Sequence, residues 1–262
     1  MTKVLVVGYK GKVGSALFEI LRGKSDFQVS GIDIADKDKV SDIKDVDIMH
    51  ICYGCHDEQE FIENTIGYIR KFNPALTIIN STVAPTVTEN IFQKTGKLIV
   101  HSPTRGMYPY MKHDLLHFVK FIGGINRKAS DMAKQHFESL GIKTYVCKSP
   151  RETEFAKLFA TSYYALLIAW FQEMHRICKE NNVEYSQVVD FIKTEEDKPI
   201  LQAGYIGGEC LIPNIRLLLK KCDSKFLHAI LESNERWKPT PPEKQVRGTI
   251  RKDSWRFEKQ PH

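Results

Sequence analysis

Lys3-Val4-Leu5-Val6-Val7-Gly8-Tyr9-Lys10-Gly11-Lys12-Val13-Gly14 is the stretch that decides the fold. An apolar run drops into a glycine turn, and Val13, Leu17, Ile20 and Leu21 then recur on one side of a helix. Strand, turn and helix start in that order are the context in which such glycines signal dinucleotide binding. Gly8 permits a tight turn, Gly11 lets backbone N–H groups approach a pyrophosphate, and Gly14 lets the helix pack closely on the strand. The spacing is GxxGxxG, one residue longer in the turn than GxGxxG. Lys10 and Lys12 sit where either can reach a phosphate. About 20 residues on, where this fold carries its acidic residue, Phe27-Gln28-Val29-Ser30-Gly31-Ile32-Asp33 reads as a second strand ending in a carboxylate. An acid there suits the ribose 2′-hydroxyl of NAD and repels the 2′-phosphate of NADP, so NAD is the expected cofactor. The same strand–turn–helix also occurs in α/β domains that bind no nucleotide.

The chain has 262 residues, room for one large domain or two small ones. Its 42% hydrophobic and 27% charged content fits an ordinary globular protein. A net charge of +6 favours a small anionic substrate but is too diffuse to argue for nucleic acid. Part of the excess lies in residues 238–262, with seven Lys/Arg against three Asp/Glu. Charge and strand pattern begin at residue 3, so no signal peptide is expected. No apolar stretch reaches the roughly 18 residues of a membrane helix. The cytoplasm is therefore the expected compartment, with no membrane partner. The six cysteines then read as free thiols. Cys52-Tyr53-Gly54-Cys55 lacks a second CxxC or an HxxxH partner, and it reads as a turn after the third strand.

Strand and helix signals alternate through the first 150 residues. That is the pattern of a parallel sheet with helices on both faces. Strands are expected near 3–8, 27–33, 47–53, 76–81, 97–101, 117–123 and 143–147, with helices near 12–22, 57–72, 86–94 and 128–140. From residue 151 to 181 there is neither Gly nor Pro, and Phe155, Leu158, Phe159, Ala165, Leu166, Ile168 and Ala169 recur at helical spacing. A helix of about 30 residues, about 45 Å long, exceeds ordinary globular lengths. It predicts the spine of a second domain and a homodimer interface, with Trp170 and Phe171 among the apolar residues needing cover. Further helices are expected near 184–194, 213–221 and 223–237. The fold class is α/β: a Rossmann-type doubly wound sheet over 1–150, a helical domain over 151–237 with a long central helix, and a polar basic tail over 238–262.

Five segments in order resemble the nucleotide-sugar dehydrogenase family, which includes UDP-glucose and UDP-N-acetylmannosamine dehydrogenases. After the glycine turn, Asn80-Ser81-Thr82-Val83-Ala84-Pro85 is similar to the family's STVPPG motif. Glu154-Phe-Ala-Lys157-Leu-Phe-Ala-Thr161 resembles E-x-x-K-x-x-x-N, and Gln172-Glu173 falls where the family has Asn-Glu. Gly207-Gly208-Glu209-Cys210-Leu211-Ile212-Pro213-Asn214 resembles the GG-x-C-x-P-x-D segment with its catalytic cysteine. Ala229 through Asn234-Glu235 resembles the closing helix. The resemblance implies an NAD-dependent oxidoreductase. In it Lys157 holds the substrate oxygen or acts as base, and Cys210 attacks an aldehyde formed first. Lys157 and Thr161, four residues apart, share one helix face. Thr82 closes a strand at the sheet's carboxyl edge, where ligands bind in such folds. Gly207 and Gly208 allow close backbone approach to a substrate.

Four departures matter. The family's asparagine is Thr161 here, and its aspartate after the cysteine is Asn214. An amide cannot act as a base, though it can orient a hydroxyl. The family's SPE segment corresponds to Ser102-Pro103-Thr104-Arg105-Gly106, without its carboxylates, and Arg105 there suits a carboxylate or phosphate clamp. The resemblance also ends before the C-terminal domain with which the family binds the nucleotide part of its substrate. Two functions remain open. One is a dehydrogenase oxidising a hydroxyl of a sugar, sugar nucleotide or small anion. The other is a catalytically degenerate dinucleotide-binding relative acting as an interaction or regulatory module.

Overall fold

A computed structural model of the chain describes residues 1–34, 43, 45–195 and 198–239. The opening stretch forms β1 (Thr2–Val7) and α1 (Lys12–Arg22), followed by β2 (Phe27–Ile32) and β3 (Ile48–Ile51). Next come α2 (Glu58–Phe72), β4 (Leu76–Ile79), α3 (Val87–Thr95), β5 (Ile99–His101), α4 (Met111–His117), β6 (Lys120–Gly124), α5 (Arg127–Ser139) and β7 (Thr144–Val146). The strands lie in the order β2-β1-β3-β4-β5-β6-β7. β1 is thus flanked by β2 on one side and β3 on the other, the switch point at which ligands bind in open α/β sheets.

Both faces of the sheet are covered, and the strand residues show it. Val4, Val6, Ile48, Ile78, Val100 and Ile122 share one core with Leu17 and Leu21 of α1, Met111 and Leu115 of α4, and Phe137 of α5. The alternate positions Leu5, Val7, Met49, Ile51 and Ile79 are buried as well. Burial of both side-chain sets explains why these strands are continuously apolar rather than alternating. Side-chain caps fix the helix starts: Asp57 accepts from Glu60 N at 2.9 Å, and Asn126 accepts from Ala129 N at 2.9 Å.

Two expectations are corrected. The sheet is not all parallel, because β6 runs antiparallel to β5, with Val100 opposite Gly124 and His101 opposite Gly123. The β5–β6 connection carries the short α4, which periodicity did not predict.

The described residues fall into two compact units, one ending at Lys157 and the other starting at Leu158. The division lies within α6 (Pro150–Glu180), a 31-residue helix that realises the expected spine. The second unit continues with α7 (Tyr185–Lys193), α8 (Leu211–Leu219) and α9 (Lys225–Arg236). Phe171 is a further correction: it is buried against Met174, Val189 and Leu201, whereas Trp170 is exposed. No helix among the described residues is long and apolar enough to cross a membrane. The expected tail lies, from residue 240 onward, outside the described residues.

Candidate active site

The glycine turn has the geometry its spacing predicts. Gly8 has φ +83°, a left-handed conformation that L side chains rarely adopt. A Cβ on Gly14 would lie 2.0 Å from the Gly8 carbonyl oxygen, so α1 can start this close to the strand end only with glycine there. Gly11 is the N-cap of α1, without a side-chain cap, and the first turn, which begins at Lys12 and Val13, holds no acidic residue. An uncapped helix N-terminus with lysines beside it fits a dinucleotide pyrophosphate. Asp33 lies beside this turn, its Oδ2 accepting from the Lys10 backbone N–H at 3.2 Å. Lys10 Nζ stands 5.6 Å from the centre of the Tyr9 ring.

Thr82 is half-buried in the loop after β4, at the carboxyl edge of the sheet. Lys157 Nζ donates to the Thr104 carbonyl at 2.8 Å, which places its ammonium at the loop after β5. One turn earlier, Glu154 is fully buried and caps α3. It accepts from Thr86 N at 2.7 Å, Thr88 N at 3.0 Å and Thr88 Oγ1 at 2.7 Å. Burial pushes the Glu154 pKa up to about 7, against the pull of those three donors. The E-x-x-K spacing therefore has a physical reason: the glutamate pins α6 to the start of α3, and the lysine one turn on reaches the β5 loop.

Arg105, expected as an anion clamp, is exposed in the loop after β5. Its guanidinium donates to the Val119 carbonyl at 2.7 Å and lies 5.3 and 5.2 Å from the Phe118 and Phe121 ring centres. Beneath the edge runs a polar layer that sequence reading missed. His101 is buried between Thr153 Oγ1 at 2.8 Å and the Ser81 carbonyl at 3.0 Å. Burial takes its pKa down to about 3, so the ring is neutral, with Nε2–H donating to Ser81. Lys120 is buried in β6, its Nζ donating to Asn80 Oδ1 and Thr104 Oγ1 at 3.1 Å each. The available signal was a lysine inside the apolar run Val119-Lys120-Phe121-Ile122. Neither Cys52 nor Cys55 is in a disulfide, and burial raises Cys52 to about 12. Among the described residues no His/Cys/Asp/Glu group could hold a metal ion.

In the second unit, Asn214 Nδ2 donates to Thr161 Oγ1 at 3.1 Å, joining two of the expected site residues. Cys210 is the N-cap residue of α8 and is exposed, as are Gly207 and Gly208 before it. The loop leading to Cys210 is pinned by two buried amides. Gln172 Nε2 donates to the Gly204 carbonyl at 2.7 Å, and Asn234 Oδ1 accepts from Ile206 N at 2.7 Å. Ser233 Oγ completes the set by donating to Gln172 Oε1 at 3.0 Å. These contacts account for two motif positions whose role the sequence left open.

Residues 151–236 match the UDP-glucose/GDP-mannose dehydrogenase family, central domain. A UDP-N-acetyl-D-mannosamine dehydrogenase of Methanococcus vannielii is 30% identical over 183 residues, 67% of this chain and 42% of that protein. Its namesake from Pyrococcus horikoshii is 23% identical over 249 residues, 84% of this chain and 60% of the relative. The chain thus spans roughly two to three fifths of the length of these relatives. The solved structure of the UDP-D-ManNAc dehydrogenase from Pyrococcus horikoshii superposes with a TM-score of 0.80 at 21% identity, over 90% of this chain and 69% of that one. A Mycobacterium tuberculosis 3-hydroxyisobutyrate dehydrogenase shares the fold at TM-score 0.68 and 13% identity, over 90% of this chain and 94% of that one.

Proposed function

With residues 151–236 belonging to the UDP-glucose/GDP-mannose dehydrogenase family, we propose that the chain is an NAD-dependent oxidoreductase. It oxidises a hydroxyl of a sugar nucleotide or a smaller anionic substrate. The observation that carries the reading is the seat of Lys157, whose Nζ is held at the sheet's carboxyl edge by the Thr104 carbonyl. The glycine turn that suits a pyrophosphate stands at the carboxyl end of β1 in the same sheet.

In this reading Gly8, Gly11, Gly14 and the N-terminus of α1 hold the pyrophosphate, and Asp33 takes the adenosine ribose. Bound NAD supplies the hydride acceptor. Lys157 places positive charge where the substrate oxygen gains negative charge as its C–H bond breaks, and Thr82 helps orient that oxygen. The thioester stage of the family's reaction needs more: a base to activate water. Asn214 cannot be that base, and its side chain is already committed to Thr161. The proposed product is therefore a carbonyl compound, formed with one NADH per substrate. The long helix α6 supports a homodimer, and the compartment that suits free thiols is the cytoplasm.

NADH absorbance with NAD and UDP-N-acetylmannosamine as probe tests the reading. Turnover should appear, and Lys157→Met should reduce it about 100-fold or more while NAD binding by calorimetry persists. Turnover unaffected by Lys157→Met would remove the lysine from the chemistry. Two NADH per substrate, abolished in Cys210→Ser, would restore the full four-electron reaction.

A further inference from the structure

An ammonium buried in a sheet is costly unless it is paired and hydrogen-bonded. Lys120 is 4% exposed, and its Nζ is held by neutral oxygens, Asn80 Oδ1 and Thr104 Oγ1, over the Phe137 ring at 5.3 Å. The two oxygens belong to different loops. Asn80 follows β4 and leads into Ser81-Thr82, while Thr104 follows β5 and leads into Arg105. Thr104 N also donates to the Asn80 carbonyl at 3.1 Å, so the loops meet at this point. Thr104 therefore faces two lysines: its hydroxyl accepts from Lys120 and its carbonyl accepts from Lys157.

We propose that Lys120 is a positioning residue, which clamps the β4 and β5 loops together and so fixes the Thr104 carbonyl that seats Lys157 Nζ. The proposal rests on the reading of Lys157 as the cation of the reaction. It assigns Lys120 no contact with substrate. The polar chain continues inward, with Asn80 Nδ2 donating to His50 Nδ1 at 3.1 Å and His50 Nε2 lying 2.9 Å from His136 Nε2. An amide and a backbone carbonyl do not relay protons, so this chain is a brace rather than a proton path. Lys120 sets its direction. With Asn80 Oδ1 turned to the ammonium, His50 Nδ1 must accept and its Nε2–H must donate, which leaves His136 Nδ1 as the end of the chain, without a partner among the described residues.

The titratable and charged groups that face Lys120 are the Cys52 thiol just after β3, Arg105 in the β5–α4 loop and Lys157 on α6. His50 on β3 and His101 on β5 feel its charge in turn. Burial first, and then the like charges of Lys157 and Arg105, bring the Lys120 pKa down to about 7. Below that pH the Lys120 charge stands beside Lys157 and above it does not, which gives a readout that loss of packing does not produce.

Side-chain NMR of lysine in the full chain, following the Cε and Nζ resonances against pH, tests the clamp without any turnover. In wild type Lys120 should titrate near 7. The Lys157 resonances should show an inflection at the same pH as Lys120 loses its charge beside them, and in Lys120→Met that inflection should vanish and the resonances should move as the seat loosens. Lys157 resonances that keep both their positions and the inflection in folded Lys120→Met would overturn the proposal. Should Lys120→Met not fold, Thr104→Val decides: loss of the hydroxyl should lower the Lys120 midpoint further, and an unmoved midpoint would overturn it. A wild-type chain that shows these shifts but makes no NADH would fail the dehydrogenase reading alone.

Discussion

At the scale of single residues, Asp33 carries the cofactor preference. Its carboxylate is tied to the glycine turn through Lys10 N, so its negative charge stands beside the phosphate-binding backbone. A 2′-phosphate brought there would meet that charge, whereas a 2′-hydroxyl could donate to it. NAD should therefore bind more tightly than NADP by calorimetry, and Asp33→Ala should narrow the gap. NADPH binding as tight as NADH in wild type would rule this out, and Lys10 and Lys12 are the residues that would then be responsible. The buried histidines give a second prediction. Burial lowers His50, takes His101 down to about 3 and His136 to about 4. The unfolded chain binds these protons near pH 6.5, while the folded chain refuses them until lower pH. Their stabilising contribution is thus complete above 6.5 and is lost as pH falls toward 4. Glu154, with its folded pKa raised to about 7, acts in the opposite sense between 7 and 4.5, but it is one group against three. At about 1.4 kcal/mol per pKa unit, the net loss is on the order of several kcal/mol. Urea midpoints measured from pH 7 to 4 should fall steeply, and a flat profile would show that these rings are protonated in the fold.

At the scale of elements, the loop before Cys210 depends on α9. Asn234 is 2% exposed and satisfies both backbone groups of Ile206, accepting from its N–H and donating to its carbonyl at 3.3 Å. Asn234→Ala would leave two buried backbone groups unpaired at about 1–3 kcal/mol each. Urea unfolding should register a loss of about 2 kcal/mol or more, and backbone exchange should rise at residues 204–206. A loss below about 0.5 kcal/mol would mean that water or a shifted loop replaces the amide. The strands and long helices were legible because their apolar runs and periodicities come from burial, which acts on many residues at once. The Glu154–Lys157 and Gly207–Cys210 segments were legible through resemblance, and Gly14 through close packing. What escaped depended on single contacts. α4 is seven residues long, too short for periodicity, and no local pattern marks β6 as reversed. Asn80, His101, Thr104 and Lys120 are ordinary polar residues until the β4, β5 and β6 ends come together, a pairing set by the sheet and not by local sequence. The two phenylalanines beside Arg105, at positions 118 and 121, were hidden for the same reason.

At the scale of the whole molecule, the remaining question is what covers α6. Phe159, Tyr163, Trp170 and Ile177 are exposed at 56%, 52%, 57% and 46%. Positions 163, 170 and 177 recur every seven residues, so on a 3.6-residue helix they drift by only about 20° per step and form a single stripe. A stripe of large apolar side chains along one helix is the surface pattern of a partner interface rather than of scattered exposure. A second copy of the same chain satisfies it with least assumption, because a two-fold pairing sets like stripe against like stripe. Light scattering should therefore report about twice 30.1 kDa, falling toward the monomer on dilution. Trp170→Glu, which puts a charge at the stripe's midpoint, should shift the population to monomer, while Lys179→Glu near the helix end serves as a charge-change control. The buried Phe171 is left untouched by this design, so a loss of dimer cannot be ascribed to a broken core. A mass of 30.1 kDa that does not depend on concentration would refute the homodimer and leave the stripe to a different partner.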